Sequence, residues 1–260
     1  MSARIVDGKA LGIKIQEELS ERVSSLRELG VVPHLAVVIA GDDPASHVYV
    51  KNKERACERC GIISTRIDMP GSSNLEEIKE VVSSLNSDPD IHGILVQSPA
   101  PDGVDELAIA SSILPQKDVD GFHPVNLGKL VQGRVGGLMP CTPSGVMRML
   151  ESSGVRTRGA NAVVLGRSRI VGMPMALMLA QPGCDASVTI VHSKTEGISS
   201  ICNQADILIA AAGKPNLVDA SFVKEGAVII DVGIHRLKSS DKNKTRLCGD
   251  VLLEDVIPKV

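Results

Sequence analysis

The chain has 260 residues, 43% apolar and 23% charged, with a formal net charge of −3, which is long enough for one large domain or two ordinary ones with a real core. The small negative charge gives no electrostatic footing for nucleic acid or an anionic membrane, and no apolar run reaches membrane-spanning length. One Tyr, two Phe and no Trp leave the core to aliphatic side chains, so each aromatic raises a question about its job.

In chain order, residues 10–29 have helical periodicity and stop at Gly30. Apolar runs at 34–40, 62–69 and 91–97 read as strands. A helix over 46–60 is predicted between the first two, entered through Asp43-Pro44 and stopped at Gly61, and a second helix spans 74–86. A polar, Pro/Gly-punctuated stretch covers 115–143, and Pro143 opens a helix over 144–153 ending at Gly154. Strand-like runs then resume at 162–165, 187–191, 207–211 and 227–232. Short β-rich runs alternating with helices predict an α/β fold of parallel sheets made from βαβ units. Two such domains are expected, 1–143 and 144–260, the second of Rossmann type, with a ligand cleft between them.

The opening segment lacks the apolar core of a secretory signal. Six cysteines, Cys57, Cys60, Cys141, Cys184, Cys202 and Cys248, are scattered along a long chain. They read as reduced thiols of a cytoplasmic protein, or of a mature organellar form. Cys57 and Cys60 have redox or metal spacing but fall at a helix C-terminal end, where the dipole disfavours thiolate. No second pair completes a zinc set and the histidines do not cluster, so no metal is expected.

The helix over 46–60 divides sharply when turned at ~100° per residue. Lys51, Asn52, Glu54, Arg55, Glu58 and Arg59 share one side; Ser46, Tyr49, Val50, Lys53, Ala56, Cys57 and Cys60 share the other. Lys53 is the one charge on the inward face. A lysine so placed either carries its head out to water or has its acidity altered by burial.

In the second half, "NAVVLGRSRIVGMPMALMLA" (161–180) reads as strand, tight turn and helix, the place where a Rossmann unit holds pyrophosphate. Gly166 is followed by Ser168 and Gly172 rather than by the G-x-G-x-x-G spacing. Glycines after a strand also mark ordinary turns. The next strand ends in His192, Ser193 and Lys194, where an NAD site carries an acid; with Arg167, this is chemistry for a 2′-phosphate and predicts NADP. A solvated basic loop is the alternative. The small-residue strand ends "AAAGKPN" and "IIDVGIH" leave room for a ligand, and the latter adds Ile234 to the cofactor-binding candidates. In the first half, "GILVQSPAP" puts Gln97 at a rigid strand end, and "QKDVDGFHP" sets Asp118 and Asp120 beside Phe122 and His123.

Taken in order, "QSPAP", "KDVDGFHP", "CTPSG", "GRSRIVGMPM", "HSKT", "AAGKP" and "IIDVGIHR", with the opening "IVDGKA", closely resemble the bifunctional methylenetetrahydrofolate dehydrogenase/cyclohydrolase family from Ile5 to Val251. The resemblance implies that Lys53 is the central acid/base, that Gln97 supports it and that Tyr49 packs on the folate. It further implies that Asp120 bonds the pterin, with Ser46 among the substrate contacts. The implied activities are NADP-dependent oxidation of 5,10-methylenetetrahydrofolate and hydrolysis of the methenyl product to 10-formyltetrahydrofolate, steps of one-carbon metabolism that serve purine biosynthesis. The implied partners are a small-molecule folate and a second copy of the chain as a homodimer, with neither nucleic acid nor membrane. The sequence departs from the family at Ser98 and Ala100, where leucines are usual. Family chains also continue past Gly249-Asp250-Val251 to a Pro/Gly-rich loop and a final helix, whereas this sequence stops at Val260, which is expected to expose an apolar face. The competing expectations are a catalytically impaired folate-binding relative and another two-domain NADP dehydrogenase, such as a shikimate-type enzyme.

Overall fold

A computed structural model describes residues 3–238 and 245–260, which group into two compact units, one of residues 7–141 and one of 142–260 together with 3–6. In the N-terminal unit, α1 (Gly8–Glu28) begins where the Asp7 carboxylate accepts from the Lys9 and Ala10 N–H groups, the satisfied cap that a helix start needs. It is followed by β1 (His34–Ala40), α2 (Pro44–Cys60), β2 (Ile63–Met69), α3 (Leu75–Ser87), β3 (Gly93–Gln97), α4 (Glu106–Ser112) and α5 (Pro124–Val131). Asn74 and Glu77 form a reciprocal capping box at the start of α3.

The three strands are parallel in the order β2-β1-β3. β1 is buried on both faces, as a parallel sheet covered on both sides requires. Ala36, Val38 and Ala40 pack in one cluster with Ile78 and Val82 of α3 and Ile109 of α4, while Val37 and Ile39 pack with Val50 of α2 and Leu95. β2 and β3 flank β1 on opposite sides, so the order reverses at the carboxyl ends of β1 and β3, where α/β sheets bind ligands.

α6 (Cys141–Ser152) leads into the other unit, which contains β4 (Asn161–Leu165), α7 (Gly172–Ala180), β5 (Ser187–Val191), α8 (Ile198–Cys202), β6 (Ile207–Ala210), β7 (Val228–Asp231), β8 (His235–Lys238), β9 (Thr245–Cys248) and α9 (Leu253–Val256). Four parallel strands lie in the order β5-β4-β6-β7. Ala162 and Val164 of β4 join Leu150 of α6 and Met175 and Leu179 of α7 on one face; Val163 and Leu165 join Cys202 and Val251 on the other. The reversal of order here falls between β4 and β6.

Four short elements lie where periodicity did not resolve them. α5 sits inside the stretch read as polar and irregular; Pro124 fills its first turn and His123 Nδ1 accepts from the Val125 N–H, but eight residues are too short to show a stripe. α4, seven residues, starts on Asp105. The antiparallel β8–β9 pair has only four residues on each strand, too few for alternation to stand out.

Two carboxylates tie the ends of this second sheet together. Asp250, fully buried, accepts from the Gly213 and Lys214 N–H groups at 2.9 Å each and lies 2.7 Å from His235 Nε2. Asp231 accepts from Gly233, Asp250 and Val251 N–H. A Cβ at Gly249 would overlap the Asp231 carboxylate, and one at Gly233 would overlap Asp250, so these acids fix glycine at both places. Asp250→Ala should strip a buried acceptor from three donors and lower stability by about 3 kcal/mol, read as an earlier urea transition. Glu254→Ala, which breaks only an exposed 3.8 Å pair with Arg246, should cost less than about 1 kcal/mol. Equal shifts for the two variants would contradict this.

Candidate functional site

In the N-terminal unit the site is built on α2. Asp43 accepts from both the N–H and the hydroxyl of Ser46 at 2.8 Å, Pro44 occupies the first turn, and Gly61 ends the helix in the left-handed region at φ +76°. These fix the helix start and stop. Val50 is fully buried against β1, and Lys53, one turn further on, reaches the end of β3. There its Nζ donates to Gln97 Oε1 at 3.1 Å. Gln97 Nε2 in turn donates to the Ser98 carbonyl at 2.6 Å, which sets the amide so that its oxygen faces the lysine.

Apart from Tyr49, which is exposed, the inward and outward faces of α2 follow the sequence reading. Lys51, Asn52, Arg55, Glu58 and Arg59 are exposed, Glu54 is partly covered, and Lys53 is half-buried. Tyr49 lies one turn before Lys53 and keeps 46% of its surface exposed, so its ring has an open face. Ser46 is buried with its hydroxyl donating to Asp43; its visible work is to start the helix.

Asp120 is half-buried. Burial pushes its carboxyl above the ordinary aspartate range, the Lys53 charge draws it back down, and Asp118 pushes it up again. Lys53 and Asp120 therefore share one electrostatic neighbourhood. Cys141 shares it too, a residue that sequence reasoning noted only as a reduced thiol and within "CTPSG". Its Sγ donates to the Val119 carbonyl at 3.1 Å. Although the residue as a whole is exposed, packing around the sulfur pushes the thiol up, as do Asp120 and Asp118, against Lys53. His123 caps α5. Cys57 and Cys60 are buried in the last turns of α2, and burial first, then Cys60, pushes the Cys57 thiol up. That pair is unsuited to thiolate chemistry. Among the described residues no group of His, Cys, Asp and Glu is arranged to hold a metal, and no helix is long and apolar enough to cross a membrane.

In the other unit, the turn from Gly166 to Gly172 joins β4 to α7. Gly166 has φ +129°, and a Cβ there would overlap the Ala211 carbonyl at the end of β6; a Cβ at Gly172 would overlap Gly166 O. Both glycines are demanded by close approach of backbone to backbone at the point where strand order reverses. Ser168 Oγ accepts from the Val171 and Gly172 N–H groups at 3.2 and 3.3 Å, which leaves its hydrogen to donate outward. Among the described residues no acceptor meets the main-chain N–H of Arg167 or Ser168. The Gly166 N–H donates to Val191 O at 2.8 Å, which sets this turn beside the loop that opens at His192. His192 Nδ1 accepts from the Lys194 N–H at 3.2 Å, so the neutral ring carries its proton on Nε2. Arg167, Ser193 and Lys194 are exposed. Glycine-walled backbone, a hydroxyl donor and a neighbouring cluster of cationic groups fit the pyrophosphate and 2′-phosphate of NADP.

Across the carboxyl edge of this sheet stand His192 after β5, Gly166 after β4, Ala211 after β6 and Ile234 after β7, the last 65% exposed. Sequence reasoning missed Asp231 and Asp250, which hold the β6 and β7 loops. The available signal was two acids in motifs already noted, each next to or one residue from a glycine. A cavity of about 1020 Å³ runs along β7, the edge strand, lined by Met149, Val155, Val228, Ile230 and Val256 among others. None of the candidate residues lines it.

Family models match both parts of the chain. Residues 6–120 match the tetrahydrofolate dehydrogenase/cyclohydrolase catalytic domain, and residues 140–260 match the NAD(P)-binding domain of the same family. The bifunctional protein FolD of Campylobacter curvus is 49% identical over 98% of this chain and 86% of its own length. That of Moorella thermoacetica is 48% identical over 100% of this chain and 90% of its own. Among solved structures, the bifunctional FolD dehydrogenase/cyclohydrolase of Campylobacter jejuni superposes with a TM-score of 0.93 at 44% identity, covering 98% of this chain and 88% of that one. The Trypanosoma brucei enzyme, solved with NADP cofactor and inhibitor, gives 0.92 at 39% identity over 99% of this chain and 88% of its own. The chain belongs to the tetrahydrofolate dehydrogenase/cyclohydrolase family.

Proposed function

We propose that this protein is a bifunctional folate enzyme that oxidises 5,10-methylenetetrahydrofolate with NADP and hydrolyses the resulting 5,10-methenyl cation to 10-formyltetrahydrofolate. The observation that carries the reading is the Lys53 Nζ to Gln97 Oε1 bond at 3.1 Å, made at the carboxyl edge of the first sheet with Tyr49 one turn away. In this reading residues 1–143 hold the folate and carry the proton chemistry, and residues 144–260 hold NADP. The separate matches of 6–120 and 140–260 to a catalytic and an NAD(P)-binding domain support that division.

Each proposed role follows from chemistry. The open face of Tyr49 offers a flat apolar surface for the fused rings of the substrate. Asp120 accepts hydrogen bonds from the pterin; its partial desolvation makes a charge-assisted bond there stronger than it would be in water. NADP, when bound, supplies the hydride acceptor, and Gly166, Arg167, Ser168, Gly172, His192, Ser193 and Ile234 are the residues proposed to hold it. In the hydrolytic step, water adds its oxygen to the bridge carbon as one water proton passes to Lys53, which takes part here as the free amine after giving its ammonium proton to solvent. The bond from that carbon to N5 then breaks, N5 gains a proton and the new hydroxyl loses its own. Lys53 is placed to handle these transfers and Gln97 to aim it. One proton leaves for solvent overall. A cytoplasmic homodimer, paired through residues 144–260, completes the reading; the family and the free thiols support it.

Lys53→Met should lower turnover in both steps by at least about a hundredfold while folate binding, followed by calorimetry, persists. Unchanged turnover in either step would overturn the assignment of Lys53 to that step. Arg167→Ala should raise KM for NADP about tenfold, the loss of one charge-assisted phosphate contact, and leave KM for NAD unchanged. A parallel rise for both cofactors would show that Arg167 does not read the 2′-phosphate.

A further inference from the structure

The segment Lys117-Asp118-Val119-Asp120-Gly121 delivers one group to the candidate site, Asp120, yet its other residues are tied down more firmly than a surface loop requires. Lys117 Nζ donates to the carbonyls of Leu85, Asn86 and Asp88 at 3.1, 2.9 and 2.7 Å, which closes the end of α3. The Val119 side chain fills the space above Gly93, and Gly121, at φ +71°, lies so close to the Met139–Pro140 backbone that a Cβ would overlap it. Asp118 is the deepest of them, 1% exposed.

The Asp118 carboxylate Oδ2 accepts from the His123 N–H at 2.8 Å and from Asn126 Nδ2 at 2.9 Å. Asn126, itself 2% exposed, also donates to Pro115 O at 2.8 Å, and its Oδ1 accepts from the Leu138 N–H at 3.4 Å. The main chain closes the same turn, with the Gly121 N–H on Asp118 O at 3.2 Å and Ile94 N–H on Lys117 O at 2.7 Å. This pair of buried side chains therefore links the 118–123 turn to α5, Pro115 and Leu138, while the main chain ties the same turn to β3. Asp120 lies in the middle of that turn and contributes no bond to it. The framework is complete without Asp120, whose carboxyl lies within electrostatic reach of Lys53 and Cys141.

We infer that Asp118 is a positioning residue of the folate site: bonded to His123 and Asn126, it holds the 118–123 turn in the shape that presents Asp120 beside Lys53. The inference rests on the reading of Asp120 as the pterin anchor. A buried carboxylate with its acceptors engaged by neutral donors is costly to keep, and its charge adds to the field at Asp120 that Lys53 opposes. Because it acts through Asp120, its removal should be felt in folate binding and not in the cofactor.

The test is a double-mutant cycle in steady-state assays of the full chain with methylenetetrahydrofolate and NADP. Asp118→Ala should raise KM for the folate about tenfold, the loss of a buried charge-assisted hydrogen bond, and leave KM for NADP unchanged. Asp118→Asn, which can still accept both bonds, should recover most of that loss. In an Asp120→Ala background, Asp118→Ala should add nothing further. If Asp118→Ala folds poorly, Asn126→Ala breaks the other half of the pair and enters the same cycle. Additive effects of the two sites, or equal rises in KM for folate and NADP, would overturn the inference alone. A wild-type folate KM in Asp120→Ala would overturn the pterin-anchor reading and this inference with it.

Discussion

The hydrogen bond from the Lys53 ammonium to Gln97 Oε1 joins α2 to the carboxyl end of β3, and most of the N-terminal unit is arranged so that it can form. Ile39 pairs with Gln97 in the parallel register of β1 and β3, which sets where β3 ends relative to β1. Asp43 and Pro44 decide where α2 begins, and Val50 buries the helix against the sheet. A slip of one residue in α2 would turn its side chains by ~100° and carry Lys53 away from Gln97. Lys53 is half-buried, and its charge opposes the effect of burial on Asp120 and Cys141 while its head meets a neutral amide.

The C-terminal unit solves a different problem with acids in place of a lysine. A ligand edge made of strand-end loops needs those loops fixed without bulky side chains in the way. Asp250 fixes the β6 loop through two backbone N–H groups and the start of β8 through His235; Asp231 fixes Asp250 itself. The glycines at 166, 172, 233 and 249 stand where backbone or carboxylate presses closest. Both units place their candidate groups at the carboxyl edge of a parallel sheet where strand order reverses, so one topological rule accounts for two sites of different chemistry.

Much of this was legible in the residues. The seven longer strands and the helices at 10–29, 46–60, 74–86 and 144–153 declared themselves by length and periodicity, to within a few residues. Lys53 stood out because one charge on an apolar face breaks a pattern, and Gln97 because it ends a strand. Short elements did not declare themselves: α4, α5 and the β8–β9 pair are too brief to show a period. Nor did the roles of Asp118, Asp231 and Asp250, whose meaning is set by partners up to 37 positions away. Ser46 shows the converse limit, since a polar residue at a helix start reads equally as substrate contact or as cap partner, and only its bond to Asp43 shows the second.

The measurement that bears most directly on this account is single-turnover hydrolysis of methenyltetrahydrofolate by Gln97→Leu, a variant that keeps Lys53 and removes what aims it. If the Lys53–Gln97 bond organises the proton transfers, the hydrolytic rate should fall by about a hundredfold while the affinity for the substrate holds within about an order of magnitude. A rate equal to that of the unaltered protein would contradict the account, because Lys53 would then need no partner at the strand end to do its work.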